Sequence, residues 1–213
     1  TYMKRELAFD LKAMGATVIL HCWDSISSLM VDKADSVYSR EPSEIPTYDK
    51  RESSFGLPEH DAHCSIVSLP HIVGGGIPTE PCISTELKFN TSEYDGMLKI
   101  GIVWAGNPQH PNDRFRSCRL SEFKVLHDLP GVKLFNLQKD MRPRMYRFGE
   151  DAVDLASGAD GMRIVDVSSF QKDFEHTAAI VKSMDIIVTV DTAVLHLAGA
   201  MGKRTMAAIS KNC

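Results

Sequence analysis

The most constraining stretch of this chain is Asp185-Ile-Ile-Val-Thr-Val190, followed without a gap by Asp191-Thr-Ala-Val-Leu-His-Leu-Ala-Gly-Ala200. A short, nearly unbroken apolar run rich in β-branched residues reads as a strand covered on both faces, as strands of a parallel sheet are. The residues after it suit a helix from Thr192 to Met201, with Gly202 as its stop. Such a strand needs strands beside it and helices above and below. The same half of the chain supplies them. Leu98–Trp104, Val132–Leu137, Arg163–Val167 and Arg204–Ile209 read as further strands. Ser121 is placed to cap a helix to His127, and Asp173 one reaching Met184. An Arg- and Met-rich loop is expected from Lys139 to about Gly149. Alternating strands and helices predict an α/β fold with a doubly wound parallel sheet.

The first half is less clearly patterned. Met3, Leu7, Leu11 and Met14 recur at helical spacing, and Thr17–Cys22 reads as a strand. Asp24 or Ser25 is placed to cap a short helix through Val31, and Cys64–Leu69 suits a second buried strand. The polar stretch from Ser36 to Pro58 carries no clear pattern. The expectation is two Rossmann-like domains, both incomplete: residues 1–85, a linker over 86–97, and residues 98–213. The chain opens at Thr1 inside a helical pattern, which reads as a piece of a longer protein.

Composition removes several function classes. The 28 acids exceed the 24 Lys and Arg, a net charge of -4, which argues against a nucleic-acid-binding module. No run approaches the roughly 20 apolar residues of a membrane span. The first residues are too charged for a secretory leader. The five cysteines are scattered and form no CxxC, which suits reduced thiols in the cytoplasm, with a peripheral association with the inner membrane left open. His60, His63 and Cys64 lack a fourth ligand at finger spacing, so no metal is expected. No P-loop, GxSxG or GxGxxG is present.

Ligands of open α/β sheets bind where strands end at their carboxyl side. Two loops leave such ends with suggestive residues. Gly106 to Ser117 carries Asn107, Arg114 and Arg116, with Arg119 just beyond. Guanidinium forks match phosphate oxygens, but a solvated loop paired with Asp113 and nearby acids fits the composition as well. In the second loop, Asp191 and Thr192 open a helix whose first N–H groups favour an anion, and His196 lies one turn further on the same face. The bland alternatives are plain helix capping for Asp191 and Thr192 and a satisfied core histidine for His196.

Taken in order, Ile100-Gly-Ile-Val-Trp-Ala-Gly-Asn-Pro108, Asn112-Asp-Arg-Phe-Arg-Ser117, Asn136-Leu-Gln-Lys139 and the run from Asp173 to Lys203 resemble bacterial heptosyltransferase-like glycosyltransferases of family nine, nearest the branch often fused to tetratricopeptide repeats. The weaker match Asp61-Ala-His-Cys-Ser-Ile-Val-Ser-Leu-Pro70 looks like that branch's first domain. The resemblance implies a GT-B fold and an inverting, metal-independent transferase. Its substrate would be a nucleotide-diphosphate sugar, with no separate cofactor, and its acceptor a glycan or protein hydroxyl. It implies donor contacts from Asn107, Arg114, Arg116, Asp191, Thr192 and His196, and a nucleoside contact from Gln138. It assigns no catalytic base, because the family carries that group on a loop before the helix that opens this chain. Residues 1–213 alone are therefore expected to lack transferase activity, with Asp61 and His60 first to test should transfer be seen. The alternative function is a nucleotide-sugar-binding or interaction module without turnover.

Overall fold

The computed structural model describes residues 11–32, 34–40, 58–65, 68, 71, 80–107, 110, 113–139, 145–148, 151–154 and 161–210. Its centre is a five-stranded, all-parallel sheet. The strands are β3 (Leu98–Val103), β4 (Val132–Asn136), β7 (Ile164–Asp166), β8 (Ile186–Val190) and β9 (Thr205–Ala208). Their spatial order is β7-β4-β3-β8-β9. The chain therefore lays down β3, moves outward through β4 to β7, and crosses back to β8 on the other side of β3. That order is the one a Rossmann-like sheet follows, and its reversal lies between β3 and β8. Ile100 marks the register there, opposite Leu134 on one side and Ile186 on the other.

Alternation along the strands divides the core into two layers. Val103, Phe135 and Ile187 face α4 (Phe174–Ser183) and α5 (Ala193–Ala200), where Ala178, Ile180, Val181, Leu197 and Ala198 complete the layer. Ile100, Ile102, Trp104 and Leu134 face the opposite way, onto Leu120 and Phe123. Those two residues belong to a 3-10 turn, Leu120–Phe123, that leads into the short helix α3 (Lys124–His127). Asp173 caps α4 as expected, its carboxylate accepting the His176 N–H at 2.9 Å. Gly202 ends α5 with φ +67, a conformation that side chains resist.

The N-terminal part contributes a strand–helix–strand unit. β1 (Ile19–Trp23) and β2 (Ser36–Arg40) pair in parallel, with α1 (Asp24–Ser27) and a 3-10 turn, Ser28–Met30, between them. Ile26, Leu29 and Met30 join the same buried layer as Ile180 and Val181 of α4. Among the described residues this half is a two-stranded sheet packed onto the larger one. The segment leading into the expected linker is equally well fastened, and the linker itself is held at Phe89. The N–H groups of Cys82 and Ile83 both donate to Ala200 O, at 2.7 and 3.0 Å, satisfying a carbonyl at the open end of α5. Lys182 Nζ donates to Thr85 O at 2.6 Å, and Ser183 Oγ to Phe89 O at 3.0 Å.

Several local expectations are corrected. Neither Asp24 nor Ser25 caps α1: the helix starts at Asp24 and Trp23 holds the cap position without a side-chain bond. Ser121 caps nothing, because the chain enters a 3-10 turn one residue earlier, at Leu120. Cys64, Ser65 and Ser68, the described part of the expected strand Cys64–Leu69, form no strand. Cys64 and Ser65 are exposed, and a turn closes there with the Ser68 N–H on Ser65 O at 2.8 Å. Where a loop was expected after Lys139, β5 (Met145–Phe148) pairs antiparallel with β6 (Asp151–Asp154). The helical pattern beginning at Met3 lies outside the described residues up to position 10; residues 11–13 are helical.

Candidate functional site at the sheet reversal

The carboxyl ends of β3 and β8 bring the two suggestive loops together. The first loop is closed by its own side chains. Leaving β3, Trp104 O accepts the Cys118 N–H at 2.9 Å, and the Gly106 N–H donates to Ser117 Oγ at 2.9 Å. Between them a single helical turn, α2 (Asp113–Arg116), presents two residues three apart on one face. Asp113 is buried, and its Oδ1 accepts Arg116 Nε at 3.0 Å. The pair lies against the Gly106 backbone, where a Cβ would come within 2.6 and 2.7 Å of two Arg116 nitrogens and overlap the Asp113 carboxylate. Only glycine admits that approach.

Arg116 then reaches across the sheet reversal and donates to Asp191 O at 3.0 Å. Its guanidinium is thus held by an internal carboxylate on one side and by the end of β8 on the other. Pairing with Asp113, one of the two readings open at the level of sequence, is what the structure contains for Arg116. The side chain of Arg114 lies outside the described residues; its backbone belongs to α2. Asn107 is exposed on the same loop, with its carbonyl accepting the His110 N–H at 3.0 Å.

The second loop opens α5. Thr192 occupies the cap position in extended conformation, yet no side chain caps the helix. Its hydroxyl instead lies 3.2 Å from Thr189 Oγ1. The single Thr189 proton is committed to Val190 O at 2.8 Å, so Thr192 is the donor in this pair. Plain capping by Asp191 or Thr192 is therefore not what these residues do. His196 is no core histidine either. Its side chain is 51% exposed, with Nε2 3.7 Å from Asp191 Oδ1. An uncapped helix start, a threonine beside it and an exposed imidazole one turn on thus lie together at the carboxyl end of β8.

Gln138 has a different position from that of a group projecting to solvent. It is buried, and its Oε1 accepts the Ala105 N–H at 3.1 Å, tying the ends of β3 and β4. Asn136 continues the seam: its Oδ1 accepts the Gln138 N–H at 2.8 Å and its Nδ2 reaches Asp166 Oδ1 at 3.4 Å. The Asp166 carboxyl is held below its ordinary range, first by the Ser168 N–H, against the upward push of burial, with help from the Ser168 hydroxyl and Asn136. Cys118, which follows the arginine loop, is pushed up to about 11 by burial and by the Glu122 charge, so its thiol stays protonated and packs rather than reacts.

Asp113 and Thr189 carry more of this geometry than the sequence suggested. Thr189 had one signal, as the polar member of an otherwise apolar strand. Away from the reversal, His60 Nε2 and His63 Nδ1 lie 3.4 Å apart on an exposed segment. Among the described residues no group of three or more His, Cys, Asp or Glu is arranged to hold a metal ion, and no helix is long and apolar enough to cross a membrane. No protein-family model, curated protein or solved structure matches the chain.

Proposed function

We propose that the five-stranded domain binds the diphosphate of a nucleotide-sugar donor at the reversal between β3 and β8, and that the chain serves a GT-B glycosyltransferase of the heptosyltransferase-like family nine. In that reading the sugar passes to a glycan or other hydroxyl acceptor with inversion and without a bound metal. One observation carries it: the start of α5 is uncapped, faces the sheet reversal, and has the exposed His196 one turn away.

Magnitudes say why these groups must act together. A helix start alone is worth about 0.3–2 kcal/mol to an anion. A millimolar complex already requires about 4 kcal/mol. A charge-assisted hydrogen bond from His196 adds roughly 1.5–3 kcal/mol, so the two together reach that figure only toward the upper ends of their ranges. The same groups neutralise charge as the diphosphate leaves, so they favour bond breaking more than ground-state binding. Binding without turnover is the alternative, and it has its own observation: the one carboxylate buried in the arginine loop, Asp113, is committed to Arg116 and is not poised as a base.

Calorimetric titration with UDP, GDP and ADP tests the binding step. Saturable binding of at least one, abolished or weakened in His196→Ala, is expected. Failure of all three at millimolar concentration overturns the reading. Sugar release from the matching nucleotide sugar, with and without a hydroxyl acceptor, separates transferase from binding module.

A further inference from the structure

We infer that Asp113 and Arg116 are positioning residues: the pair is a clamp that fixes the start of α5, and Arg116 is not itself a diphosphate ligand. The inference rests on the diphosphate reading only for its functional consequence, since the clamp itself is a property of the free protein.

The argument begins with what Arg116 has left to offer. Its Nε is bonded to Asp113 Oδ1 at 3.0 Å, and its Nη1 to Asp191 O at 3.0 Å. The side chain is 17% exposed and Asp113 is 1% exposed. Three N–H donors remain, but swinging the guanidinium onto a ligand would break its ion pair with a buried carboxylate and its bond to Asp191 O together. Keeping it in place has a specific effect. Asp191 O is the last carbonyl before the Thr192 cap, and the Ala193 and Val194 N–H groups follow directly. Fixing that peptide fixes the direction in which the first turn of α5 presents its donors. Preorganised donors bind and stabilise charge better than donors that must first be ordered.

The β3 loop supplies supports of the clamp from its own residues. Gly106 leaves room for the pair, Ser117 Oγ accepts the Gly106 N–H, and the Ser117 N–H closes α2 onto Asp113 O at 2.9 Å. One loop thus holds the geometry of the other across the sheet reversal, over 75 positions of sequence.

The two roles for Arg116 predict opposite signs for one substitution. If Arg116 were a ligand, Asp113→Asn would release it and leave nucleotide affinity unchanged or tighter. If the pair is a clamp, Asp113→Asn weakens affinity roughly tenfold, and Asp113→Asn with Arg116→Gln loses no more than either change alone. The free protein gives an independent readout. Backbone amide shifts and hydrogen exchange at Ala193 and Val194 should change in Asp113→Asn and in Arg116→Lys, while amides of β4 stay fixed. Arg116→Lys keeps a charge beside Asp113 and serves where Asp113→Asn fails to fold. Unchanged Ala193 and Val194 amides in the folded variants overturn the clamp. Amides that move while wild type binds none of UDP, GDP or ADP uphold the clamp and overturn the diphosphate reading instead.

Discussion

At the scale of single residues, the informative contrast is between His196 and Arg116. His196 was legible from spacing alone, because residues four apart on a helix share a face and Thr192 marks where the helix begins. Its 51% exposed side chain leaves it available to a ligand, so His196→Ala should weaken nucleoside diphosphate binding by about 1.5–3 kcal/mol, read by calorimetry. Affinity equal to wild type for every nucleotide that binds would remove it from the site. Arg116 was legible as a cation but not as a clamp, since its partners are a buried carboxylate in the next turn and a carbonyl from another strand. Tertiary pairing of that kind leaves no periodic trace. The same holds for His127, whose Nε2 accepts the Arg163 N–H at 3.0 Å while Nδ1 meets Asp128 Oδ1 at 2.9 Å. An acceptor at Nε2 requires the proton on Nδ1. Nitrogen chemical shifts of the neutral His127 ring should therefore report the Nδ1–H tautomer, and the Nε2–H form would refute the Arg163 bond.

At the scale of elements, the inner strands of the central sheet were visible because burial on both faces leaves continuous apolar runs, as in Ile186–Val190. β2 and the β5–β6 pair were not, since Ser36-Val-Tyr-Ser-Arg40 and Asp151-Ala-Val-Asp154 carry too few apolar residues to stand out from their surroundings. Caps divided along a similar line. Asp173 was recognisable as a helix start and functions as one, whereas Ser121 has the right chemistry but sits inside a 3-10 turn. The α4 cap has a measurable signature in pH. Burial alone would raise the Asp173 carboxyl, but the His176 N–H and ring and the Glu175 N–H outweigh it and hold the carboxyl below its ordinary value. A depressed carboxyl stabilises the fold fully above its unfolded value, near 3.9, and loses that contribution as pH falls through the folded value. Asp173→Ala should therefore cost about 1 kcal/mol at neutral pH, with a spread of 0.5–2. In denaturant titrations the gap from wild type should close as the pH falls below about 4. A gap of constant size from pH 7 to 3 would mean that the ionised carboxylate is not the capping group.

At the scale of the whole molecule, the sequence suggested two units joined by a linker, and the described residues of the two share one buried layer. Just ahead of the expected linker, Cys82, Ile83 and Thr85 are buried and bonded to α5 and α4, and within it Phe89 O accepts the Ser183 hydroxyl. The turn after α1 places Leu29 and Met30 in the layer that also holds Ile180 and Val181. Shared core is shared stability: removing apolar volume on one side should lower the unfolding midpoint of the other. The two tryptophans allow the test, because Trp23 at the end of β1 is 37% exposed and Trp104 at the end of β3 is 3% exposed. In a Trp23→Phe background only Trp104 reports, and it reports on the large sheet. Leu29→Ala in that background should destabilise the Trp104 transition by about 2–5 kcal/mol, the range for an emptied core leucine site. The slope against denaturant should stay unchanged, as a single transition with the same exposed surface requires. A Trp104 midpoint that ignores Leu29→Ala, while circular dichroism shows an earlier separate transition, would establish two independent units. The buried contact between the strand–helix–strand unit and α4 would then contribute nothing to folding.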